Sequence, residues 1–239
     1  MFCLRPTPNS RNRRRITVPE MTREQVRSRI QEIGIIPAIR VSSPEDALFA
    51  AEAVCNHGIP IVEVTMTVPG AVSVISELAA KNSNVITGAG SVSGEETARR
   101  CIDAGAQFLT STGLNLDIVH FALGRNVVVF PGALTPTEIM AAWEAGPDFV
   151  KVFPCASVGG PAYIRALRGP FPHIPLIASG GVNQQTAGDF ILAGATALGI
   201  GGELIPHEAI QRRQEHRIGE LARRFLAIVK ESRLPASGR

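Results

Sequence analysis

Apolar and polar positions alternate between residues 35 and 201 as a regular succession of short apolar runs and longer mixed stretches. The short runs are rich in Val, Ile and Phe and are apolar on both faces, which is typical of parallel strands covered by helices. The predicted strands are 35–41, 60–66, 84–90, 106–111, 126–132, 148–154, 174–179 and 195–201.

The mixed stretches between these runs predict helices of about 10–14 residues. "SPEDALFAAEAVCNHG", "SGEETARRCIDAG", "TPTEIMAAWEAG" and "NQQTAGDFILAG" each open with Ser, Thr or Asn and close with Gly, the preferred residues at helix ends. A last amphipathic helix is predicted at 207–231. An N-terminal helix is predicted from "MTREQVRSRIQEIG", where Thr22 and Gln25 have the spacing of a capping box.

Eight strands, each followed by a helix, within about 200 residues predict an α/β protein with a single (β/α)8 TIM barrel. A doubly wound sheet is the alternative architecture. That sheet would favour a G-x-G-x-x-G motif after the first strand, and "AIRVSSPED" contains none.

The segment "MFCLRPTPNSRNRRR" at the start of the chain contains five arginines and no acidic residue. Its composition predicts a disordered basic extension over residues 1–20, followed by one barrel domain over residues 21–239. A targeting or nucleic-acid-binding arm, and a natural start at Met21, are the alternatives. The segment lacks the apolar core of a secretory signal.

Bulk composition excludes several classes of protein. The chain is 45% hydrophobic and 19% charged, with a net charge of +3, so we expect no nucleic-acid partner, and no apolar run is long enough to cross a membrane. The cysteines form no C-x-x-C pair, which favours buried thiols in a reducing cytoplasm over disulfides or a metal site. Cys155 follows an unusual lysine closely in the sequence, so a reactive thiol at this position is an alternative to a buried one. The cysteines are Cys3, Cys55, Cys101 and Cys155.

That lysine is one of only three among 24 basic Lys and Arg residues. Lys151 lies in the middle of "DFVKVFP", inside the sixth predicted strand. Arginine would form a better permanent ion pair. Lysine can instead lose its proton, and a neutral amine attacks carbonyl groups to form a Schiff base. Lys151 is therefore the candidate nucleophile.

Two further charged residues, Glu63 and Arg40, lie in apolar strands. Interior layers of a barrel are filled from alternate strands, so Glu63 on the second strand and Lys151 on the sixth can face each other. A carboxylate there would serve as general acid and base in the proton transfers of a Schiff-base reaction. A buried salt bridge that only stabilises the barrel is the alternative interpretation.

A set of motifs, in this order and at this spacing, makes the chain recognisable between about residues 30 and 230. They are "GIIPAIRV", "VEVTMTVPGA", "ITGAGSV", "GAQFLTSTGL", "FPGALTPTE", "FVKVFP", "GGPAYIRALRGPFP" and "ASGGVN". The sequence resembles the class I aldolases of the 2-keto-3-deoxy-6-phosphogluconate (KDPG) and 4-hydroxy-2-oxoglutarate (KHG) aldolase family.

The resemblance implies a cytoplasmic homotrimer of carbohydrate metabolism, such as the Entner–Doudoroff route. It would cleave a 2-keto-4-hydroxy acid to pyruvate and an aldehyde, glyceraldehyde 3-phosphate or glyoxylate, without a metal or an organic cofactor. Lys151 would form the Schiff base, Glu63 would be the acid and base, and Arg40 would bind the pyruvyl carboxylate. The other substrate contacts that the resemblance implies are Thr67, Ser91, Pro131, Ser179, Gly180, Gly181, Gly201 and Gly202.

The chain departs from the family pattern where a substrate phosphate would bind. The family usually reads P-T-G-G and G-S there, whereas this chain reads "ASGG" and "GGEL". The amides of Gly180 and Gly181 can cradle an anion with the help of a following helix N-terminus. However, Gly202 lacks a hydroxyl, and Glu203 adds a negative charge. A non-phosphorylated 2-keto-3-deoxy sugar acid as substrate, or a barrel that binds a keto acid without catalysis, are therefore the alternatives.

Overall fold

Parallel strands and helices alternate along residues 21–81 and 84–234, the part of the chain that the computed structural model describes. The predicted extension at residues 1–20 lies outside these residues. The strands are β1 Ile35–Ile39, β2 Ile61–Thr65, β3 Ile86–Gly90, β4 Phe108–Thr110, β5 Val128–Phe130, β6 Gly132–Ala133, β7 Val150–Val152, β8 Leu176–Ser179 and β9 Ala197–Ile200.

Helices precede the first strand and follow most of the others. None of the described helices combines the length and the apolar character needed to span a membrane. They are α1 Arg23–Ile33, α2 Pro44–Asn56, α3 Ala71–Lys81, α4 Glu95–Asp103, α5 Leu116–Gly124, α6 Pro136–Glu144, α7 Pro161–Arg168, α8 Ala187–Leu192, α9 His207–Gln211 and α10 Glu215–Ser232, with a short 3-10 helix at Ala156–Val158.

The sheet closes into a barrel at Pro131. Its strand order is β5-β4-β3-β2-β1-β9-β8-β7-β6, and both outermost members come from one segment, because β5 ends at Phe130 and β6 begins at Gly132. Across this seam, the backbone N–H of Lys151 donates to the carbonyl of Pro131 at 2.9 Å. The eight predicted strands and the (β/α)8 barrel are therefore confirmed, and the doubly wound sheet is wrong.

Stacked aromatic rings fill the space beside the seam. The rings of Phe108 and Phe130 stack at 5.3 Å between centroids, and Phe130 meets Phe149 edge to face at 5.9 Å. All three side chains are fully buried. A Cβ atom at Gly88 would lie 2.3 Å from the ring of Phe108, so only glycine leaves room for this ring. The cluster is an apolar floor beneath the polar residues described below.

The helix caps agree in part with the prediction. Ser43 and Thr135 cap α2 and α6 with their side chains, but Gly94 and Thr186 begin α4 and α8 without a side-chain bond to the helix. The prediction of Ser93 as a cap was therefore wrong, whereas the Asn183 side chain accepts from the N–H groups of Gln185 and Thr186 and caps the turn that leads into α8. The glycines that close these four helices all have the left-handed conformation that follows many helix ends: Gly58, Gly105, Gly146 and Gly194.

The predicted last helix at 207–231 is wrong as one element. It consists of α9 and α10, separated by a turn at residues 212–214. Arg213 has a positive φ of 51°, which ends the first helix, and the N–H of Gln214 returns to the carbonyl of Ala209 at 2.9 Å. No Gly or Pro in "QRRQEH" indicates this break.

Helix α1 is anchored to the amino end of the barrel. The predicted capping box is confirmed, since Thr22 and Gln25 exchange both bonds. Next to it, the Arg23 guanidinium makes a two-pronged contact of 3.0–3.1 Å with the carboxylate of Asp148, which also accepts from the N–H of Val129 at 3.0 Å. This buried carboxylate joins α1, β5 and the segment that leads into β7.

Candidate active site

Lys151 lies at the centre of β7, between Gly132 of β6 and Ile177 of β8. Only 8% of the residue is exposed. Its Nζ lies 5.6 Å from the centroid of the Phe153 ring, two residues further along the chain. The side chain therefore leans towards the carboxyl end of the strands, where catalytic residues of such barrels lie.

Glu63 leans the same way from the centre of β2. Its Cα is in register with Gly88, yet its Oε1 would lie 2.0 Å from a Cβ atom built on Gly90, two residues closer to the carboxyl end. The residue is only 4% exposed. Gly90 therefore provides the space that the carboxyl group occupies, and any larger residue would displace it.

Glu63 and Lys151 project from the same face of the sheet. Glu63 is in register with Gly88, and Gly88 with Phe108, so these residues point to one side. Phe108 contacts Phe149 through the aromatic cluster, and Phe149 shares its side with Lys151 because strand residues alternate. The prediction that both charges enter the barrel interior agrees with this geometry.

Neither charge has an ion-pair or hydrogen-bond partner among the residues that the structure describes. Within residues 21–81 and 84–234, no ion pair or hydrogen bond involves the Lys151 amino group or the Glu63 carboxylate. Neither group is among the fully buried polar atoms that lack a hydrogen-bond partner, so both retain some contact with solvent. The alternative of a buried salt bridge between them is therefore wrong. Holding mostly buried charge unpaired costs stability, and such groups are typical of functional sites.

Arg40 and Ser91 meet across the end of β2. Arg40 directly follows β1, and its Nη2 lies 3.5 Å from the Oγ of Ser91, which directly follows β3. Ser91 has a positive φ of 56°, a conformation that residues other than glycine rarely adopt outside constrained sites. The turn therefore fixes the hydroxyl beside the exposed guanidinium, and together they offer donors for a carboxylate.

Thr67 lies in the turn after β2, and Thr65 holds it in place. The hydroxyls of Thr65 and Thr67 are 2.7 Å apart, and the Thr65 hydroxyl donates to the carbonyl of Ile39 at 2.9 Å. Thr65 is fully buried and Thr67 is exposed. The ends of β1 and β2 are thereby tied together beside Arg40.

Pro131 and Gly132 flank Lys151 on the neighbouring strand. Pro131 is buried, and its carbonyl accepts the Lys151 N–H. A Cβ atom at Gly132 would lie 2.1 Å from the carbonyl oxygen of Thr112, so glycine is required by this close approach. The β6 side of the lysine backbone is therefore fixed by a buried proline and the tightly packed glycine that follows it.

Ser179, Gly180 and Gly181 end β8. Ser179 is 7% exposed, and its Oγ would lie 2.6 Å from a Cβ atom built on Gly199. Gly180 and Gly181 have φ values of 87° and 81°, so two successive residues are left-handed. The expected help from a helix N-terminus is indirect, because α8 begins only at Ala187, after a turn over residues 183–186.

Gly201, Gly202 and Glu203 follow β9 in the adjacent loop. Gly202 and Glu203 are exposed, and no atom lies within 4 Å of a Cβ atom built on Gly202. The Glu203 carboxylate makes no hydrogen bond or ion pair with any residue that the structure describes. The predicted site residues thus lie at or just after the carboxyl ends of β1, β2, β3, β8 and β9, except for Glu63 and Lys151, which lie within β2 and β7, and Pro131, which lies between β5 and β6.

The comparison with known families matches the model described as "KDPG and KHG aldolase" over residues 26–221, which is more than half of the chain. The chain belongs to the KDPG and KHG aldolase family. The 2-dehydro-3-deoxy-phosphogluconate aldolase of Treponema pallidum is 31% identical over 201 residues, which are 84% of this chain and 95% of the relative. The KHG/KDPG aldolase of Escherichia coli strain K12 is 32% identical over 190 residues, 79% and 89% of the two chains.

A solved structure of the family shows the same architecture. The KDPG aldolase from Legionella pneumophila, with pyruvate captured at low pH as a covalent carbinolamine intermediate, superposes with a TM-score of 0.78. It is 28% identical, and the match covers 85% of this chain and 98% of that one. The resemblance read from the motifs is thus confirmed.

Cys155 does not add a reactive thiol to the site of this family member. The side chain is fully buried, and burial raises the pKa of the Cys155 thiol to about 12, so the thiol is protonated at neutral pH. Within the described ranges, no group of three or more His, Cys, Asp and Glu side chains is arranged to hold a metal ion.

Four residues that shape this aldolase-family site were not among the predicted site residues. Thr65 positions Thr67, Gly90 makes room for Glu63, Gly132 allows the seam beside Lys151 to pack, and Phe153 contacts the lysine amine. A signal existed for the two glycines, because glycine inside a strand often marks a close approach. Thr65 had the signal of a polar residue in the second half of its predicted strand, whereas Phe153 had none beyond its place in an apolar strand.

Proposed function

We propose that the protein is a class I aldolase that cleaves a 2-keto-4-hydroxy acid to pyruvate and an aldehyde. The observation that carries this proposal is the unpaired amine of Lys151, held in the barrel interior on the same face as the unpaired carboxylate of Glu63. Relatives named for KDPG and KHG cleavage support acids of this type as substrates.

Lys151 attacks C2 of the keto acid, and loss of water gives an iminium ion. Glu63, directly or through a water molecule, removes the proton of the C4 hydroxyl. The C3–C4 bond then breaks, its electron pair moves into the iminium to form an enamine, and the aldehyde leaves. Protonation of the enamine at C3 and hydrolysis of the resulting iminium release pyruvate and restore the free amine. The iminium ion takes up the electron pair that the broken C3–C4 bond releases, so the cleavage needs no oxidant or reductant.

The pyruvyl carboxylate binds beside Arg40 in this proposal. Arg40 and Ser91 lie 3.5 Å apart at the rim, and Thr67 is fixed next to them by Thr65. A guanidinium and a hydroxyl together match the two oxygens of a carboxylate. Pro131 borders the backbone of the lysine, because its carbonyl accepts the Lys151 N–H. The distal part of the substrate extends over the loops at Ser179, Gly180, Gly181, Gly201 and Gly202.

Borohydride reduction in the presence of pyruvate tests the proposal. The expected result is loss of activity and a pyruvate-derived mass increase on the peptide that contains Lys151. Lys81, which is exposed and paired with Glu77, provides the internal control and should stay unmodified. Turnover of keto acids without any adduct on Lys151 would contradict the mechanism. Binding of pyruvate without turnover or adduct would instead support a non-catalytic keto-acid-binding barrel.

We further infer that residues 21–239 form the aldolase domain and that the enzyme acts in the cytoplasm as a homotrimer. Free Cys55, Cys101 and Cys155 suit a reducing compartment, and the family resemblance supports the trimer. Sedimentation equilibrium of the full chain and of a chain that begins at Met21 tests assembly and domain boundary together. A trimeric, active shorter chain is expected, and a monomer in either case would contradict the proposed assembly.

A further inference from the structure

A groove of about 430 Å³ runs along the loops that follow β8 and β9, and helix α10 lines its other side. In (β/α)8 barrels, a phosphate group frequently binds at the loops after the seventh and eighth strands and at a short extra helix. Here those loops carry Gln184 and Gly202, and the short helix α9 follows. The groove therefore includes Gly202, one of the residues to which the family resemblance assigns the distal end of the substrate.

The positive charges of this groove are already paired. Arg217 Nη1 lies 3.5 Å from the carboxylate of Glu208, which also contacts Arg212 at 3.1 Å. Arg224 forms an ion pair with Glu220. A phosphate entering the groove would have to take one of these guanidinium groups from its carboxylate.

Glu203 is the groove's charge without a partner. It is exposed beside Gly202, and it makes no hydrogen bond or ion pair with any described residue. Gly202 itself offers no side-chain donor. The uncompensated charge in the groove is thus negative, and a negative group brought close to it is repelled.

We propose that Glu203 selects substrates whose distal end is an uncharged hydroxylated chain and disfavours those that end in a phosphate or a second carboxylate. This inference rests on the proposed aldolase function and specifies the class of its substrate. A carboxylate accepts hydrogen bonds from hydroxyl groups, so the residue that repels an anion also binds a polyol end.

The test compares kcat/KM for pyruvate release from 2-keto-3-deoxygluconate and from its 6-phosphate. The wild-type enzyme is expected to prefer the unphosphorylated acid. Glu203→Gln, which keeps the shape and removes the charge, should shift the ratio about tenfold towards the phosphate, the scale of one contact between surface charges. The shift should shrink in about 0.5 M salt, because exposed charges are screened.

Glu144→Gln is the matched control, since Glu144 is exposed on α6 and lines no part of the groove. It should leave the substrate ratio unchanged. An unchanged ratio in Glu203→Gln would overturn the inference while leaving the aldolase function intact. A selective loss of activity on the phosphate in Arg217→Gln would also overturn it, because the groove would then be an anion site. Absence of turnover on both acids, with no adduct on Lys151, would overturn the proposed function and the inference with it.

Discussion

Buried charge is handled in opposite ways at the two ends of this barrel. At the amino end, the Asp148 carboxylate has a two-pronged guanidinium contact from Arg23 and an N–H from Val129. At the carboxyl end, Glu63 and Lys151 are similarly buried but have no ion-pair or hydrogen-bond partner among the described residues. Paired charge fixes the fold, and unpaired charge is what a substrate can still bind to and react with. The comparison therefore separates residues kept for stability from residues kept for chemistry.

Lys151→Met has the largest expected effect on activity and tests the carboxyl end of the barrel alone. Removing the nucleophile should lower kcat by about 10⁴-fold or more, as for other covalent catalysts. The free energy of unfolding should stay the same or rise, because a buried charge without a partner is removed. Steady-state kinetics and urea unfolding measure the two quantities, and Lys81→Met is the exposed control. A large loss of stability would show that Lys151 is part of the fold rather than of the chemistry.

Glu63→Gln should lower kcat by about 10²- to 10⁴-fold, the usual contribution of a general acid and base. Schiff-base formation with pyruvate should persist, because the amine of Lys151 is unchanged. Rapid-quench borohydride trapping separates the two steps. Equal losses of trapping and of turnover would contradict the assignment of Glu63 to proton transfer after the adduct forms.

Gly90→Ala complements Glu63→Gln, because it displaces the Glu63 carboxyl group without removing its charge. Its new Cβ would lie 2.0 Å from the Glu63 Oε1, so the carboxyl group must move and kcat should fall in the same direction. Gly124→Ala is the control, since no atom lies within 4 Å of the added Cβ and the residue ends a helix. Normal activity in Gly90→Ala would show that the position of the Glu63 carboxyl group is not critical.

Asp148→Ala tests the amino end. Removing one partner of a buried ion pair leaves the other charge uncompensated, so the free energy of unfolding should fall by about 3 kcal/mol. The kcat of the molecules that remain folded should fall only slightly, since Asp148 lies at the amino end of the barrel and not at its carboxyl end. Urea unfolding and active-site titration by borohydride trapping measure these. A kcat loss as large as that of Glu63→Gln would break the distinction between the two ends.

Glu138→Gln gives the smallest expected effect and concerns an exposed charge. Backbone N–H groups of Thr135 and Leu134 donate to the Glu138 carboxylate and hold its pKa below the usual 4.5. The carboxylate thus stabilises the fold above about pH 4.5, and this contribution is lost as the pH falls through the lower folded-state value. The variant should be less stable by about 0.3–1 kcal/mol at pH 7. The difference between the two proteins in urea unfolding should shrink as the pH is lowered below 4.5, because the Glu138 carboxylate then becomes protonated.

The strands and the two charged residues Lys151 and Glu63 were predictable because their signals are local in the sequence. A lone lysine or glutamate inside a run of Val, Ile and Phe identifies Lys151 and Glu63, and period-two alternation places their side chains. The lean of Glu63 over Gly90 depends on register between strands, which no single strand encodes. The contact between Arg40 and Ser91 likewise depends on an unusual backbone conformation after β3.

Other misses came from backbone conformations that the residue type does not require. Arg213 adopts a left-handed conformation and divides the last helix, although arginine ordinarily continues a helix. Ser93 was a reasonable cap by composition, yet Gly94 occupies the cap position of α4. The Arg213 guanidinium pairs with Asp46 and lies over the ring of Phe49 on α2, and such contacts between helices are not encoded in propensity.

The seam at Pro131 makes catalysis depend on complete folding. Lys151 lies on the strand that bonds to this segment, so its surroundings exist only after the ring of strands has closed. A chain folded from β1 to β5 would already hold Glu63 and Arg40, but it would have no nucleophile in place. Recovery of activity during refolding therefore reports the closing of the ring itself, whereas a spectroscopic signal of helix formation reports only that its parts have formed.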